Sequence, residues 1–264
     1  MSDAWILILG SYSGAPAKNA NLPAILVSFQ GINVLLDCGE GCQIRLIEHG
    51  IGPSRIDAIA ITHLHGDHIF GLPGLLQSMG LACRSRELVI KGPAELQDFI
   101  NSSFKVTGYR PPFKIVYEHP LRETVLAKSQ KLVIRGFHTF HAGVESYGYV
   151  LEGYRRVRDG WRLRFKVAYT GDTAPSREYI SFIRNSDVLI HDATFEEGME
   201  DSASEYGHST ARDAALIAGE ACVKTLILFH KSTRYAGKNG LLEKQARRFF
   251  ARSFEARDGM KILL

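Results

Sequence analysis

One short segment constrains this chain more than any other. Thr62–His68 reads THLHGDH and places three histidines and one aspartate within six residues. The apolar, β-branched run 56–61 before it predicts a buried strand, and residues 69–76 after it predict the start of a helix. Strand ends of this kind carry binding sites in α/β folds. Imidazole and carboxylate together suit zinc or a related metal, whereas the alternative is a polar loop with scattered histidines.

The composition is that of an ordinary globular protein. Of 264 residues, 45% are hydrophobic and 23% are charged, which allows one large domain or two small ones. The formal net charge of +4 is compatible with a polyanionic partner but is weak support for one. The four cysteines form no C-x-x-C pair, and no segment resembles a membrane span or a secretory signal. We therefore predict a cytoplasmic protein with reduced thiols and no membrane partner.

Short apolar segments alternate with segments of helical periodicity along the whole chain. The predicted helices cover residues 41–49, 69–81, 94–104, 176–184, 210–221 and 241–254. No linker or low-complexity tract divides the sequence. This pattern predicts a single α/β domain over residues 1–264, with helices outside two sheets.

Polar side chains follow at least five of the predicted strands, which suggests one polar site at the strand ends. Two metal ions about 3.5–4 Å apart require roughly seven or eight ligand bonds. The candidate ligands are His63 and His65 with His141 for one ion, Asp67 and His68 with His230 for the other, and Asp172 as the bridge. Three alternatives stay open: Asp172 caps a helix near residue 175, His230 is a hydrogen-bonded histidine at a strand edge, and His138 replaces His141.

Together these motifs resemble the metallo-β-lactamase superfamily and, more narrowly, ribonuclease Z, the endonuclease family that matures the 3′ ends of tRNA precursors. The resemblance covers nearly the whole chain. It is carried by LLDCGEG at 35–41, THLHGDHIFGLPG at 62–74, VESYGY at 144–149, GDT at 171–173, HDATF at 191–195, GHST at 207–210 and HKSTRY at 230–235. The GHST segment and the RY ending narrow the superfamily to ribonuclease Z.

The resemblance implies a four-layer αββα sandwich that holds two zinc ions per subunit, with Mn²⁺ as a possible substitute. The implied ligands are those proposed above, namely His63, His65, Asp67, His68, His141, Asp172 and His230. A metal hydroxide would attack the phosphodiester of precursor tRNA, the implied partner, and leave a 3′-hydroxyl on the tRNA. The alternative within the fold is a hydrolase of a small phosphodiester or another ester.

Three residues have implied roles in proton transfer. Asp67 would act both as a ligand and as the general base. His208 would donate a proton to the departing ribose 3′ oxygen, and Asp192 would hold His208 in the required tautomer. The alternative for His208 is a residue beside a helix cap. The family resemblance also implies a homodimer.

The chain departs from the family pattern at two places. The N-terminal loop usually reads GTGxxxPxKxRN, and here Lys18 and Asn21 remain while Ala20 replaces the arginine. Lys18 is therefore a candidate RNA contact. The long arm that many members carry is missing, because only 30 residues separate His141 from Asp172.

A basic β-hairpin at about 147–169 occupies that interval. The alternation predicts that Trp161, Leu163, Phe165 and Val167 pack on one face, opposite a face with the candidate RNA contacts Arg156, Arg158, Arg162, Arg164 and Lys166. The alternative is a sheet edge whose charges prevent aggregation.

Overall fold

The four-layer αββα sandwich predicted from the resemblance is confirmed in a computed structural model, which describes residues 3–128, 130–238 and 240–264. Two sheets pack face to face around an apolar core that includes Ile6, Val27, Tyr149 and Val167. Each sheet packs its other face against helices. Strands that are buried on both faces explain why the sequence shows short continuous apolar runs rather than strict alternation.

The first sheet combines an antiparallel meander with a parallel half. Its strands in spatial order are β14 (Lys261–Leu263), β1 (Ala4–Gly10), β2 (Ala24–Phe29), β3 (Ile32–Leu36), β4 (Ala58–Ala60), β5 (Leu88–Lys91) and β6 (Ile115–Glu118). Strands β3 to β6 run parallel, so their carboxyl ends lie at one edge of the sheet. The helices of this half are α1 (Cys42–Glu48), α2 (Gly66–Ile69), α3 (Leu72–Leu81) and α4 (Glu95–Thr107).

The second sheet repeats this design. Its strands in spatial order are β13 (Ser253–Glu255), β12 (Leu226–Phe229), β11 (Val188–Asp192), β10 (Gly160–Tyr169), β9 (Tyr147–Val157), β8 (Lys131–His138) and β7 (Thr124–Ala127). Strands β10 to β13 run parallel. The helices are α5 (Ile180–Ile183), α6 (Glu200–Tyr206), α7 (Ala211–Glu220) and α8 (Leu241–Ala246). Among the described residues, none of the helices has the length and apolarity required to cross a bilayer.

The predicted helix at residues 241–254 is wrong in its second half. Helix α8 ends at Ala246, and Ser253–Glu255 forms β13, which pairs in parallel with β12. The reason is a tertiary contact. The buried carboxylate of Glu255 pairs with the equally buried amine of Lys231 at 3.0 Å. If this segment were helical, the Glu255 side chain would point away from Lys231.

The hairpin formed by β9 and β10 corrects a second prediction. A β-bulge shifts the register between Leu163, opposite Tyr154, and Phe165, opposite Gly153. Because Tyr154 and Gly153 are adjacent, Leu163 and Phe165 point to opposite faces of the ribbon. Trp161 and Leu163 are accordingly 42% and 48% exposed, while Phe165 and Val167 are buried. The expected separation into one packed and one basic face is therefore wrong.

Candidate metal centre

The His-rich segment connects β4 to α2 at the carboxyl edge of the first sheet. His63 and His65 lie in the connection, and Asp67 and His68 lie in the short helix α2. Helix α3 follows directly, so α2 is held between the strand end and a packed helix. Gly71, just before α3, allows this, because a Cβ there would lie 2.2 Å from the carbonyl oxygen of Gly39.

The second sheet contributes three side chains from the ends of its strands. His141 follows β8, Asp172 follows β10 and His230 follows β12. His230 adopts the left-handed backbone conformation, with φ at 58°, although it is not glycine. Such strained residues concentrate at functional sites, because the surrounding structure must enforce them. All seven side chains proposed as ligands meet where the two sheets face each other.

The seven side chains form two adjoining groups, within each of which the candidate ligand atoms lie no more than 4.8 Å apart. The first comprises His63, His65, His141 and Asp172, and the second comprises Asp67, His68 and His230. Asp172 also reaches the second group, since its Oδ2 lies 3.1 Å from His230 Nε2 and its Oδ1 lies 3.4 Å from His68 Nε2. This arrangement agrees with two ions that share Asp172.

Two buried atoms in these groups have no hydrogen-bond partner among the described residues. They are Nε2 of His63 and Oδ1 of Asp172. Buried polar atoms are almost always paired, so two orphans in one cluster indicate a group that completes them. Burial and the neighbouring His68 hold the pKa of His63 well below its ordinary value, which keeps this imidazole neutral. A neutral imidazole beside a carboxylate fits a divalent metal.

Contacts to the Nδ1 atom of the ring orient three of the histidines. Nδ1 of His141 donates to the Gly207 carbonyl at 2.9 Å, and Nδ1 of His63 lies 3.0 Å from the Thr62 hydroxyl. Nδ1 of His230 lies 3.0 Å from the Thr194 hydroxyl. Such contacts leave Nε2 of each ring for a metal, and they set its orientation. Gly207 has a φ of 68°, and a Cβ there would lie 2.1 Å from the Ala142 nitrogen.

Asp37 is a buried carboxylate that sequence reasoning missed as a site residue. It accepts hydrogen bonds from the Thr62 amide at 2.8 Å, His68 Nδ1 at 2.8 Å and the Tyr169 hydroxyl at 2.7 Å. Burial opposes charge on His68, but the carboxylates of Asp172 and Asp37 raise its pKa well above the ordinary value. The available signal was a carboxylate at the end of β3, next to the strand that precedes the histidines.

His208 lies beside the second group. Its Nδ1 donates to Asp192 Oδ2 at 2.7 Å, and its ring stacks on His230 with centroids 5.2 Å apart. Asp192 is itself held by the amide and hydroxyl of Thr194, both at 2.8 Å. Burial lowers the pKa of His208, but the Asp192 carboxylate outweighs it and raises the pKa to about 9. A pKa above neutrality favours the protonated imidazole, which is the form that can donate a proton.

The structure distinguishes the alternatives that the sequence left open. His138 is exposed, packs its ring on Tyr147 with centroids 5.0 Å apart, and lies outside the two groups. Asp172 is buried in the cluster, and the next described helix begins at Ile180. His230 is buried between Asp67 and Asp172 rather than at an exposed strand edge.

A cavity of about 340 Å³ opens over the cluster. Besides His208 and five of the candidate ligands, its wall includes Ser13, Gly14, Glu205 and Tyr206. The Gly14 amide donates to Asp67 Oδ2 at 2.8 Å, which ties the N-terminal loop to the centre. Sequence reasoning did not find Glu205 and Tyr206, because they belong to the unpredicted helix α6 and to no residue pattern of known chemistry.

The candidate RNA contacts lie in separate parts of the molecule. Lys18 lines a neighbouring cleft of about 510 Å³, together with Arg45 and Arg257. The hairpin begins at Tyr147 and ends at Tyr169 near the centre, so its tip lies about ten residues away. At ~3.3 Å per residue, the tip cations Arg156 and Arg158 are roughly 30 Å from the metal ligands.

Three comparisons with known proteins agree on this architecture. A family model described as Anti-Pycsar protein Apyc1 matches residues 4–216. A ribonuclease Z of Metallosphaera sedula is 38% identical, with 96% of each chain covered. A ribonuclease Z of Saccharolobus islandicus, strain L.S.2.15, is 40% identical, with 94% of this chain and 95% of the relative covered.

Two solved structures show the same fold over the full length. Human tRNase Z, short form, superposes with a TM-score of 0.81 at 29% identity, with 98% of both chains covered. The metallo-β-lactamase fold protein YhfI from Bacillus subtilis gives 0.80 at 23% identity, with 99% of both chains covered. The chain therefore belongs to the family that the Apyc1 model describes and, by its full-length relatives, to the ribonuclease Z family of metallo-β-lactamase fold proteins.

Proposed function

We propose that this protein is a divalent-metal-dependent endoribonuclease that removes the 3′ trailer from tRNA precursors and leaves a 3′-hydroxyl on the tRNA. One observation carries the proposal: the chain aligns over nearly its full length with ribonuclease Z relatives and brings seven candidate metal ligands into one cluster, five of which line an open cavity. The short form of human tRNase Z, which has the same fold over its full length, supports the same substrate.

Two metal ions are assigned to the cluster. His63, His65 and His141 would hold one, Asp67, His68 and His230 the other, and Asp172 would contact both. The nitrogen-rich donor set favours zinc, and Mn²⁺ can replace it in sites of mixed imidazole and carboxylate ligands. Ions bound there would supply hydroxide near neutral pH and neutralise charge that develops on the phosphoryl oxygens.

The side chains around the cluster divide the proton transfers between them. Asp67, in addition to its role as a ligand, accepts a proton from the attacking nucleophile, and the Gly14 amide keeps its carboxylate oriented. His208, protonated and held by Asp192, donates a proton to the departing ribose 3′ oxygen. The proton that Asp67 takes up and the proton that His208 gives up balance the cleavage.

Two further properties belong to this proposal. The ribonuclease Z resemblance supports a homodimer in which one subunit grips RNA that the other cuts. It also supports a cytoplasmic location, where tRNA precursors are processed. Sedimentation equilibrium of the purified protein tests the first property, and a single species with the mass of one chain at micromolar concentration contradicts it.

The decisive experiment is cleavage of a precursor tRNA with a 3′ trailer, by wild type and Asp67→Ala in parallel, with zinc or manganese supplied. We expect one metal-dependent cut next to the discriminator base, a 3′-hydroxyl on the tRNA product and a rate at least 100-fold lower in the variant.

The competing function is hydrolysis of a small phosphodiester, which the short interval between His141 and Asp172 favours. It gains support if metal-loaded wild type hydrolyses a small diester but leaves the precursor intact.

A further inference from the structure

Tyr206 is an exposed aromatic residue in the wall of the metal cavity. Its side chain is 57% exposed, although it lines the same cavity as Asp67, Asp172 and His208. It lies at the end of α6, two residues before His208. A large aromatic surface that stays open to water beside a reaction centre is available for a ligand.

One side of the Tyr206 ring faces another aromatic side chain. It lies nearly parallel to the buried ring of Phe195, at an angle of 17° with centroids 6.4 Å apart. The Arg234 guanidinium lies 5.2 Å from the centroid of the Phe195 ring. Behind Tyr206, the carbonyl of Gly207 accepts the hydrogen bond from His141, so the backbone at this point is tied to a metal ligand.

These contacts indicate which kind of ligand could pack against the open face of the Tyr206 ring. A planar aromatic group could lie against the exposed part of the Tyr206 ring while an attached phosphate reaches the metal ligands in the same cavity. A nucleobase linked to a phosphate through ribose has this combination. Proteins commonly recognise unpaired RNA ends by stacking their bases on aromatic side chains.

We infer that Tyr206 forms a nucleobase subsite for the nucleotide that carries the departing 3′ oxygen. The inference rests on the proposed function, because it assigns the proton for that oxygen to His208, and Tyr206 is two residues from His208 on the same cavity wall. The base of the last nucleotide retained on the tRNA therefore stacks on Tyr206.

The test is a double-mutant cycle on precursor tRNA cleavage. It combines wild type and Tyr206→Ala with a normal substrate and with one that is abasic at the last retained nucleotide. We expect Tyr206→Ala to lower kcat/KM on the normal substrate roughly 5- to 150-fold, the factor that corresponds to loss of one base stack. On the abasic substrate the two enzymes should differ less than twofold, because the stacking partner is already missing.

Two further variants make the result specific. Tyr206→Phe keeps the ring and should cleave the normal substrate within twofold of wild type. Phe249→Ala removes another exposed aromatic side chain, one that lies outside the metal cavity, and should leave cleavage unchanged. Metal content and thermal melting establish that Tyr206→Ala is folded and loaded.

The outcomes separate the inference from the proposed function. If wild type does not cut the precursor, the proposed function is wrong. If wild type cuts but Tyr206→Ala is equally fast, or if the losses from Tyr206→Ala and the abasic site multiply, the subsite is wrong while the proposed function stands. If Tyr206→Phe is as slow as Tyr206→Ala, the hydroxyl rather than the ring is required, and the stacking assignment is overturned.

Discussion

At the scale of single residues, the pair of His208 and Asp192 links structure to a measurable pH dependence. The imidazole is protonated because the Asp192 carboxylate, 2.7 Å away, outweighs the effect of burial and raises the pKa of His208 to about 9. A general acid works only while it is protonated, so its contribution is lost as pH rises through this pKa. In the proposed mechanism, the Asp192 carboxylate therefore extends activity towards alkaline pH.

We predict that Asp192→Asn shifts the alkaline limb of the kcat profile to lower pH by about one unit or more, since a one-unit shift corresponds to ~1.4 kcal/mol of lost interaction. The variant keeps an oxygen that can accept from His208 but removes the charge, while the burial that lowers the pKa remains. The measurement is kcat for RNA cleavage between pH 6 and 10 at saturating metal. Asp213→Asn, in the capping box of α7, is the control and should keep the wild-type profile. Unchanged alkaline limbs in both variants contradict the role of Asp192.

The site residues differ in how far the sequence could reveal them. The four ligands between His63 and His68 are predictable, because the residues that define the motif are adjacent and follow a strand. Asp37 and Tyr206 are not, because their roles depend on contacts made in the fold. Asp37 binds Tyr169, which lies 132 positions away, and Tyr206 matters only because α6 places it beside the cavity. Neither residue type is unusual in its own segment.

At the scale of elements, the N-terminal loop of residues 11–21 is positioned by a residue near the other end of the chain. Asp258 accepts hydrogen bonds from the Ser11 hydroxyl at 2.8 Å and from the Asn21 amide and side chain at 2.9 and 2.8 Å. The same loop donates the Gly14 amide to Asp67. Asp258 thus supports the orientation of the proposed general base through the loop, without contact with the metal cluster.

We predict that Asp258→Ala lowers kcat about tenfold for both precursor tRNA and a small diester, because the loss of such hydrogen bonds costs ~1–3 kcal/mol and frees the loop. Parallel steady-state kinetics on the two substrates measure this. Asp3→Ala, which removes a carboxylate bonded to Gln30, is the matched control and should change neither rate. A loss confined to the RNA substrate would show instead that the loop serves RNA binding only.

The hairpin of β9 and β10 is the element whose details the sequence could not supply. Its strands and turn follow from local pattern, but the bulge after Leu163 depends on pairing with β9 and reverses which residues share a face. Lys166, moreover, donates to the Arg184 carbonyl on the body of the protein. The exposed cations Arg156 and Arg158 remain as the test of RNA binding by the tip.

We predict that Arg156→Glu combined with Arg158→Glu weakens precursor tRNA binding and reduces the slope of log K against log salt by about one to two, since each phosphate contact contributes ~0.9. Hydrolysis of a small diester should not change, because the tip lies far from the metal ligands. Filter binding at several salt concentrations measures the slope. Lys105→Glu combined with Arg177→Glu makes the same change in net charge elsewhere and serves as the control. An equal loss of affinity in both double variants indicates a general charge effect rather than a contact at the tip.

At the scale of the whole molecule, the candidate metal centre is built from the strand ends of both sheets. The first sheet and its helix supply His63, His65, Asp67 and His68, and the second supplies the remaining three ligands. The layered fold could be predicted from the sequence because the family motifs mark the strand ends on both sheets. The sequence could not show which ligand atoms lack a hydrogen-bond partner, because the surroundings of Nε2 of His63 and Oδ1 of Asp172 depend on packing in the fold.

Because the ligands come from both sheets, bound metal should join the halves of the molecule and stabilise it. An ion at 100 times its dissociation constant adds ~2.7 kcal/mol per site, and each kcal/mol raises the Tm by roughly 2–4 °C in a chain of about this size. We therefore predict that zinc raises the Tm of the metal-free protein by about 5 °C or more. In Asp172→Ala the increase should largely disappear, because this carboxylate contacts both groups, whereas His138→Ala, outside them, should retain it. Thermal unfolding after chelation and after readdition of zinc, with metal content measured alongside, provides the comparison. An equal Tm with two bound ions and with none would contradict the prediction, because it would mean that the ions bind the unfolded chain as tightly as the folded one.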